Sequence, residues 1–540
     1  MRTVAHELLT IFRKIGQLFS RYPSDAGVLP QSFADMRSHP PAGVEGSLLS
    51  FQSVPDKFYF LLFGAIRARL EVHVAVRTEL LVVRAINGAV GVGWLAGLKR
   101  SAPIAWLWTS RWVRAYGDLI DGVAYRCATW AHPFRDLMDW FKSSLLWRQL
   151  QQQKEGETLS LKIDGIEVAD LLVDSYLRFK PSPEFNVSDP FVRHLVWQAL
   201  RDVRQAKTYF GGRKPKWYLT SYTTYLEHGI PARVALQHGV AVWSFGNLNG
   251  FAKRLSLADS FHTQNFASYR VGFEALDQQE EKLATAREQL ERRLSGGIDA
   301  ATSYMRQSAY GQTTGALPLG IGGAAVVFLH DFYDSPHVYP DLVFDDFWQW
   351  ICFTIEALQS AGTRFFLKPH PNQIALSDLA LDRLRHKYPE LDWLPVGTSN
   401  VQLAQAGIAC GITVYGTVAH ELAYLGVPSI GCARHPHHTF DFCRTAKTRN
   451  EYAELLRTHT VLAVPKQEMQ RQALAFYYMH NLYADENQSG LRQAYLDFWR
   501  ACNVGESNEE TVMRCLRELV RQPAFDRFVD GVGGAGANFG

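Results

Sequence analysis

Cysteine is scarce and unpaired in this chain: seven scattered residues among 540, with no CxxC spacing. An odd, dispersed set excludes a disulfide framework and fits a reducing compartment, so the chain reads as cytoplasmic. An excess of one charge is missing too. Lys and Arg number 56 against 53 Asp and Glu, and no basic run is interleaved with aromatics, which argues against a nucleic-acid partner. Long apolar runs are also absent. FYFLLFGAI (58–66) and INGAVGVGWLAGL (86–98) fall short of the roughly 18 uncharged residues that a membrane-spanning helix needs. The opening residues, MRTVAHELLTIFRKIGQLFSRYPSD, lack the apolar core and cleavage site of a signal peptide.

What is present is a folded composition, 47% hydrophobic and 20% charged, in a chain too long for one core. Residues 1–50 hold one amphipathic helix and a Pro, Ser and Gly-rich arm; that helix either packs on its own domain or rests on a membrane surface. From residue 51 short apolar runs alternate with helical patterns, the signature of parallel sheets covered by helices. Expected strands in the first half are LEVHVAV (70–76), APIAWLW (102–108), WYLTSY (217–222) and ARVALQH (232–238). The charged stretch 274–295 reads as a solvated helix. A Gly-rich break at 310–323 then leads into a cleaner strand–helix repeat. The expected division is an arm (1–50), a first Rossmann-like domain (51–315), a second (316–500), and a C-terminal helix with a disordered tail (501–540). The helical pattern of 468–519 is expected to cross back onto the first half.

In the second unit FLKPHPN (366–372) follows a strand with Lys368, His370 between Pro369 and Pro371, and Asn372. The prolines fix the backbone on both sides of the imidazole, which suits recognition of an oxyanion; a helix cap would use the same residues. Two strands later comes VYGTVAHELAYLGVPSI (414–430), where Tyr415, Gly416 and Thr417 turn a strand into a helix carrying Glu421. Free amides at such a turn suit phosphate, and Glu421 faces the same crevice. The bland alternative is plain strand–helix–strand architecture.

The order strand-K-P-H-P, strand, Y-G-T-x-x-x-E-x-x-x-x-G-x-P resembles the donor half of GT-B glycosyltransferases that build bacterial capsule and lipopolysaccharide from CMP-activated sugars, the Kdo transferases and sialyltransferases above all. The resemblance covers 324–452 and, more loosely, 165–249. It implies a GT-B-like α/β fold, with two Rossmann-like domains whose parallel sheets face a cleft. It further implies a CMP-sugar donor, no cofactor and no metal, a glycan or glycolipid acceptor, and peripheral contact with the inner membrane. By the same match Lys368, His370, Pro371, Asn372, Tyr415, Gly416 and Thr417 hold the nucleotide phosphate, and Glu421 holds the ribose. Related folds that transfer glycerol phosphate from CDP-glycerol carry similar turns, and a UDP-sugar epimerase is a further alternative.

Transfer needs a carboxylate or imidazole near the anomeric carbon. Asp174 and Asp331 lead, with His238 after an expected strand; Tyr176, Arg178 and His330 complete the cleft candidates, and Asp334 lies beside Asp331. Each aspartate can equally cap a helix. Trp108, Trp112, Trp130 and Trp147 suit sugar stacking or are core aromatics. CARHPHHTFDFC (432–443) matches no zinc spacing and reads as a solvated loop near the nucleotide.

Overall fold

The computed structural model describes residues 46–82, 111–118, 123–126, 133–154, 157–180, 182–263, 269–302, 317–371, 373, 375–458, 464–484, 490–504 and 508–533. The N-terminal helix, the 102–108 strand and the apolar run 86–98 lie outside these residues. The strands are β1 (Ser47–Gln52), β2 (Val76–Val82), β3 (Val123–Arg126), β4 (Lys162–Ile163), β5 (Ile166–Glu167), β6 (Trp217–Thr220), β7 (Ala241–Ser244), β8 (Lys253–Arg254), β9 (Ala325–Phe328), β10 (Phe365–Lys368), β11 (Cys410–Ile412), β12 (Ser429–Gly431) and β13 (Cys443–Thr445). Two sheets dominate. The first runs β3-β2-β1-β6-β7-β8, parallel except for β8; the second runs β10-β9-β11-β12-β13 and is parallel throughout. These are two Rossmann-like units in the GT-B-like arrangement expected. Each has the doubly wound strand order, so each has a switch point, between β1 and β6 and between β9 and β11, where a crevice opens at the carboxyl ends of the strands.

Two expected strands of the first half are helical. LEVHVAV spans the end of the helix Lys57–His73 and the first residue of β2. That helix is capped by Asp56, whose side chain accepts from the Phe58 amide, and it is buried on nearly every side; an all-round apolar helix shows no period that separates it from a strand. ARVALQH ends the helix Tyr225–Gln237, whose periodicity is likewise erased by burial and which carries Pro231 inside it. In the second unit LDWLPVG (391–397), which the strand–helix repeat would make a strand, forms none and makes one bridge, Trp393 to Leu367. The helix Gln279–Leu294 does show the charged outer face expected, yet Leu283, Ala286, Leu290 and Arg293 are buried.

Packing divides the chain differently from the expected boundaries. The helices Tyr269–Glu274 and Gln279–Leu294 join a core with Ala419, Phe442, Phe476 and Tyr477 of the second unit. The helices Leu491–Asn503, Glu509–Val520 and Pro523–Gly533 return to the first sheet and pack with Phe51, Phe58 and Trp243. The C-terminus does cross back, but from Leu491: the helix Lys466–Tyr477, expected to take part in the crossing, stays in the core of the second unit. The Trp217 indole donates to the Val532 carbonyl at 2.6 Å, Tyr495 Oη donates to the Phe245 carbonyl at 2.6 Å, and the Phe528 and Trp243 rings meet edge-on at 5.1 Å.

The segment between β9 and the helix Phe347–Ser360 joins the two units. His337 bonds Asp174 through Nδ1 at 2.8 Å, Ser335 bonds Tyr225 Oη at 2.8 Å, and Asp346 accepts from the Phe185 amide at 2.7 Å while capping its own helix through Gln349. Burial lifts the Asp346 carboxyl to about 7 against the pull of those two amides.

Phe528→Ala is expected to cost about 3–5 kcal/mol, read by denaturant unfolding, because it opens a cavity between the last helix and the first sheet. A loss under about 1 kcal/mol would mean that the C-terminal helices are not part of this core. Because Asp346 keeps its proton in the folded chain, its contribution is full below about pH 4 and is lost as pH rises toward 7. Asp346→Asn removes that titration, so wild-type stability should fall relative to the variant over this window; parallel stability curves would contradict the assignment.

Candidate functional site

At the second switch point the carboxyl ends of β9, β10 and β11 surround a cavity of about 440 Å³. Its floor is His330, Lys368 and Thr413, one wall is Pro369, His370 and Pro371, and the opposite wall is Tyr415, Gly416, Thr417 and Val418. The two loops singled out in the sequence thus converge on one space. Residues 396–400 close a third side, and Asp334, Tyr339 and His435 close the mouth.

Thr413 organises the floor. Its Oγ1 accepts the Gly416 amide at 3.0 Å and meets His330 Nε2 at 3.1 Å. A Cβ on Gly416 would lie 2.6 Å from that oxygen, so the position needs glycine for close approach. His330 stacks on Phe347 at 4.9 Å, and burial, with His370 nearby, drives its imidazole down to about 3; it is neutral. Burial also lowers His370, which Asp331 partly offsets and Lys368 reinforces. Lys368 is 7% exposed, and its ammonium is pulled down by burial and partly restored by Glu421. A buried cation and a neutral imidazole beside the turn at Thr417 suit one oxyanion, although the Gly416 amide, expected to be free, is already taken by Thr413.

Several expected residues lie elsewhere. Glu421 does not reach the cavity: it is fully buried, Oε1 sits 2.9 Å from Arg293 Nη2, and Oε2 accepts from Asn400 Nδ2 at 2.7 Å. It stands behind the wall and holds it. His238 caps the C-terminus of the helix Tyr225–Gln237, exposed, at the amino end of β7 and so at the edge of the sheet away from the crevice. Tyr176 is buried, with Oη donating to Asp189 at 3.1 Å. Asp174, 1% exposed, serves the contact with His337. Burial raises this carboxyl despite His337; burial pulls the His337 imidazole down, and Asp174 more than restores it. Asp331 accepts from Ser377 Oγ at 2.6 Å and from the Tyr333 amide at 3.1 Å, and its charge acts on His370 from outside the lining. Asn372 lies outside the described residues, as do Trp108 and Trp130. Trp112 is core, edge-on to Phe60 at 5.8 Å, and Trp147 donates to the Val187 carbonyl, so neither forms a sugar platform.

The stretch 432–443 is not a solvated loop. Cys432, His435, His437 and Cys443 are buried, with the His435 and His437 rings 4.2 Å apart, and His435 does line the cavity. Among the described residues no group of three or more His, Cys, Asp or Glu is set to hold a metal ion.

Asp334 is the carboxylate that opens into the cavity. The side chain itself is exposed at the cavity mouth; the surrounding protein nonetheless raises the carboxyl, Asp331 and Asp174 add to the shift, and the turn amide of Ser335 and Arg178, exposed on the first unit, oppose it. The sequence alone ranks it below its neighbour, because only the turn at Ser335, whose amide bonds Asp334 Oδ1 at 2.9 Å, aims it inward. The first switch point escapes sequence reasoning altogether: there Gln52 accepts from Thr220 Oγ1 at 2.7 Å and from the Ser221 amide at 3.1 Å and bonds His228, itself 3.2 Å from Glu227. The histidine lies in a segment, YLEHG, that carries no motif. A second cavity of about 290 Å³ lies between the units, lined by Ser160, Glu167, Asp170 and Asp345, and shares Tyr339 with the first.

No protein-family model matches the chain, and a search of curated proteins finds no match. Solved structures similar to it include the UDP-GlcNAc 2-epimerase of Methanocaldococcus jannaschii in complex with UDP-GlcNAc and UDP, at 8% identity over 78% of this chain and 97% of that one, TM-score 0.24. Another is the UDP-GlcNAc 2-epimerase of Neisseria meningitidis bound to UDP-GlcNAc, 8% identical over 79% and 96%, TM-score 0.22. A third is the glycotransferase of kitacinnamycin, 11% identical over 90% and 98%, TM-score 0.20. Likenesses this distant carry no functional argument; function has to be read from the geometry of the chain itself.

Glu421→Ala is expected to cost about 3–5 kcal/mol, because it takes the carboxylate away from the Arg293 guanidinium and the Asn400 amide in the interior. Arg293→Met with Glu421→Met should recover much of that loss in a double-mutant cycle. Were Glu421→Ala as stable as wild type, Glu421 would be free for a ligand after all.

Proposed function

We propose that the chain is a metal-independent glycosyltransferase whose donor is a nucleotide-activated sugar with one phosphate, a CMP-sugar such as CMP-Kdo or a related acidic sugar. The observation that carries this reading is the meeting of Lys368, His370 and the Gly416–Thr417 turn around one cavity at a sheet switch point. A leaving group with one phosphate gains its charge at a single position, and a preset buried cation with hydrogen-bond donors stabilises it without a metal. The nucleoside fills the space along residues 396–400, and the sugar points toward Asp334.

Asp334 acts as the base for the acceptor hydroxyl. Its raised carboxyl brings its proton affinity closer to that of the alcohol, while Arg178 keeps the carboxylate form accessible. The acceptor, a glycan or a lipid-linked glycan, enters from the cleft through the second cavity, whose hydroxyl and carboxylate lining suits a polyhydroxyl chain. Two cavities that share Tyr339 favour a two-substrate reaction over an epimerase, which needs one.

A thermal-shift panel of CMP, CDP, UDP and GDP tests the donor. CMP at 100 times its Kd should add about 2.7 kcal/mol to wild-type stability. His370→Ala should abolish the response, and Lys368→Met should weaken CMP about ten- to a hundredfold. Stabilisation by UDP alone would move the assignment to an epimerase, and a response to CDP without CMP would favour the glycerol-phosphate class. For the base, Asp334→Asn should remove transfer while leaving the CMP shift intact.

A further inference from the structure

The helix Pro133–Gln151 packs on the helix Pro190–Arg213 by a face that is polar over its first half, while Leu146, Trp147 and Leu150 join the core further along. Asp136, 1% exposed, takes Arg204 Nη2 at 2.5 Å with Arg201 beside it, and its carbonyl accepts the Trp197 indole at 2.9 Å. Asp139 turns inward as well, 2.9 Å from Arg204, and Ser143 is buried. Trp140 lies under the Arg193 guanidinium at 3.9 Å and edge-on to Trp197 at 5.3 Å, which fixes the helix's rotation about its axis.

The outer face is apolar. Phe134 is 86% exposed, Leu137 52%, Met138 68%, Phe141 60% and Leu145 61%. At spacings of three and four these side chains form a single stripe three turns long. Five large apolar groups on one stripe are more than scattered surface hydrophobics, and such patches mark contact surfaces. Charge indicates what the stripe meets. Arg135, Lys142 and Arg148 are exposed along it, while both carboxylates of the helix point into the domain. Lys142 has an anion within reach, Asp164 at 3.9 Å, at the outer limit of an ion pair. An apolar stripe flanked by cations, with the helix's own carboxylates turned inward, complements an anionic lipid surface, where rings and aliphatic chains enter the headgroup layer and cations meet phosphate.

We infer that the helix Pro133–Gln151 docks this protein onto an anionic bilayer, lying flat with the Phe134–Leu145 stripe in the interface. Among the described residues no helix is long and apolar enough to cross a membrane, so the contact is a lateral one. The inference stands apart from the reading of the nucleotide cavity, and the nucleotide panel is insensitive to it.

The test uses the full chain and sedimentation with vesicles of phosphatidylcholine alone or with one quarter phosphatidylglycerol. Wild type is expected to partition onto the anionic vesicles, less so at high salt. The triple variant Leu137→Gln, Met138→Gln, Phe141→Gln should lose at least about tenfold in partitioning with its melting temperature kept, since these side chains contribute little to the core. Arg135→Gln with Lys142→Gln should weaken binding to anionic vesicles only. Four results would overturn the inference: wild type that ignores anionic vesicles; a triple variant that binds as wild type does, which moves the lipid contact elsewhere; a wild-type oligomer that the triple variant converts to monomer with unchanged vesicle binding, which makes the stripe a contact with a second copy or another protein; and a triple variant that loses stability in vesicle-free buffer, which means that the chain itself covers the stripe.

Discussion

The buried pair of Arg293 and Glu421 is the interaction on which the site depends. Glu421 lies one turn beyond Thr417, Asn400 begins the helix behind residues 396–399, and Arg293 comes from a helix that precedes the second sheet in sequence. One carboxylate therefore ties three segments together, two of which form walls of the cavity. Taking two ions out of water is costly, and an apolar pair of the same volume would often serve stability equally well. What the ionic pair adds is direction: the two oxygens each accept from a fixed donor, so the turn at Gly416 and the loop at Ser399 keep a set distance. Glu421 also reaches Lys368 through space and moderates the loss of its proton. The carboxylate that the sequence suggests for a ribose thus tunes the cation on the other side of the wall.

The second unit is largely legible in the sequence, and the first is not, for a physical reason. In the second unit two strands end in residues with strong backbone preferences, the Pro-flanked His370 after β10 and the small turn at Gly416 after β11, so those ends can be located. In the first, the helices Lys57–His73 and Tyr225–Gln237 are buried on nearly every side, and burial removes the three- to four-residue period by which a helix is read. Taking the second of these for a strand carries His238 to the wrong edge of the sheet. Glu421 misleads differently. Its position on a buried helix is clear, but its partner Arg293 lies more than a hundred residues away in a charged stretch whose outer face gives no hint that one residue points inward. The same holds for Asp174, whose partner His337 belongs to the other unit.

The segment between β9 and the helix Phe347–Ser360 supplies both chemistry and architecture. Asp334 opens into the cavity, while Ser335, His337 and Asp346, within a dozen residues, bond the first unit. Tyr415 Oη donates to the Ser335 carbonyl at 3.2 Å, so the turn that lines the cavity also touches this segment. The segment that carries Asp334 to the cavity mouth is thus held by bonds to the first unit and by a bond to the turn after β11.

The return of the last three helices to the first sheet has a consequence for how the chain is made. Residues up to Thr263 leave the ribosome with Phe51, Phe58 and Trp243 already synthesised, but Phe525 and Phe528, which cover them, emerge some 260 residues later. At a translation rate of roughly 5–20 residues per second this is a delay of about a quarter-minute to a minute, during which an aromatic surface waits uncovered. The intervening unit, whose sheet and walls are contiguous in sequence, completes itself first and is then clasped between the two ends of its neighbour.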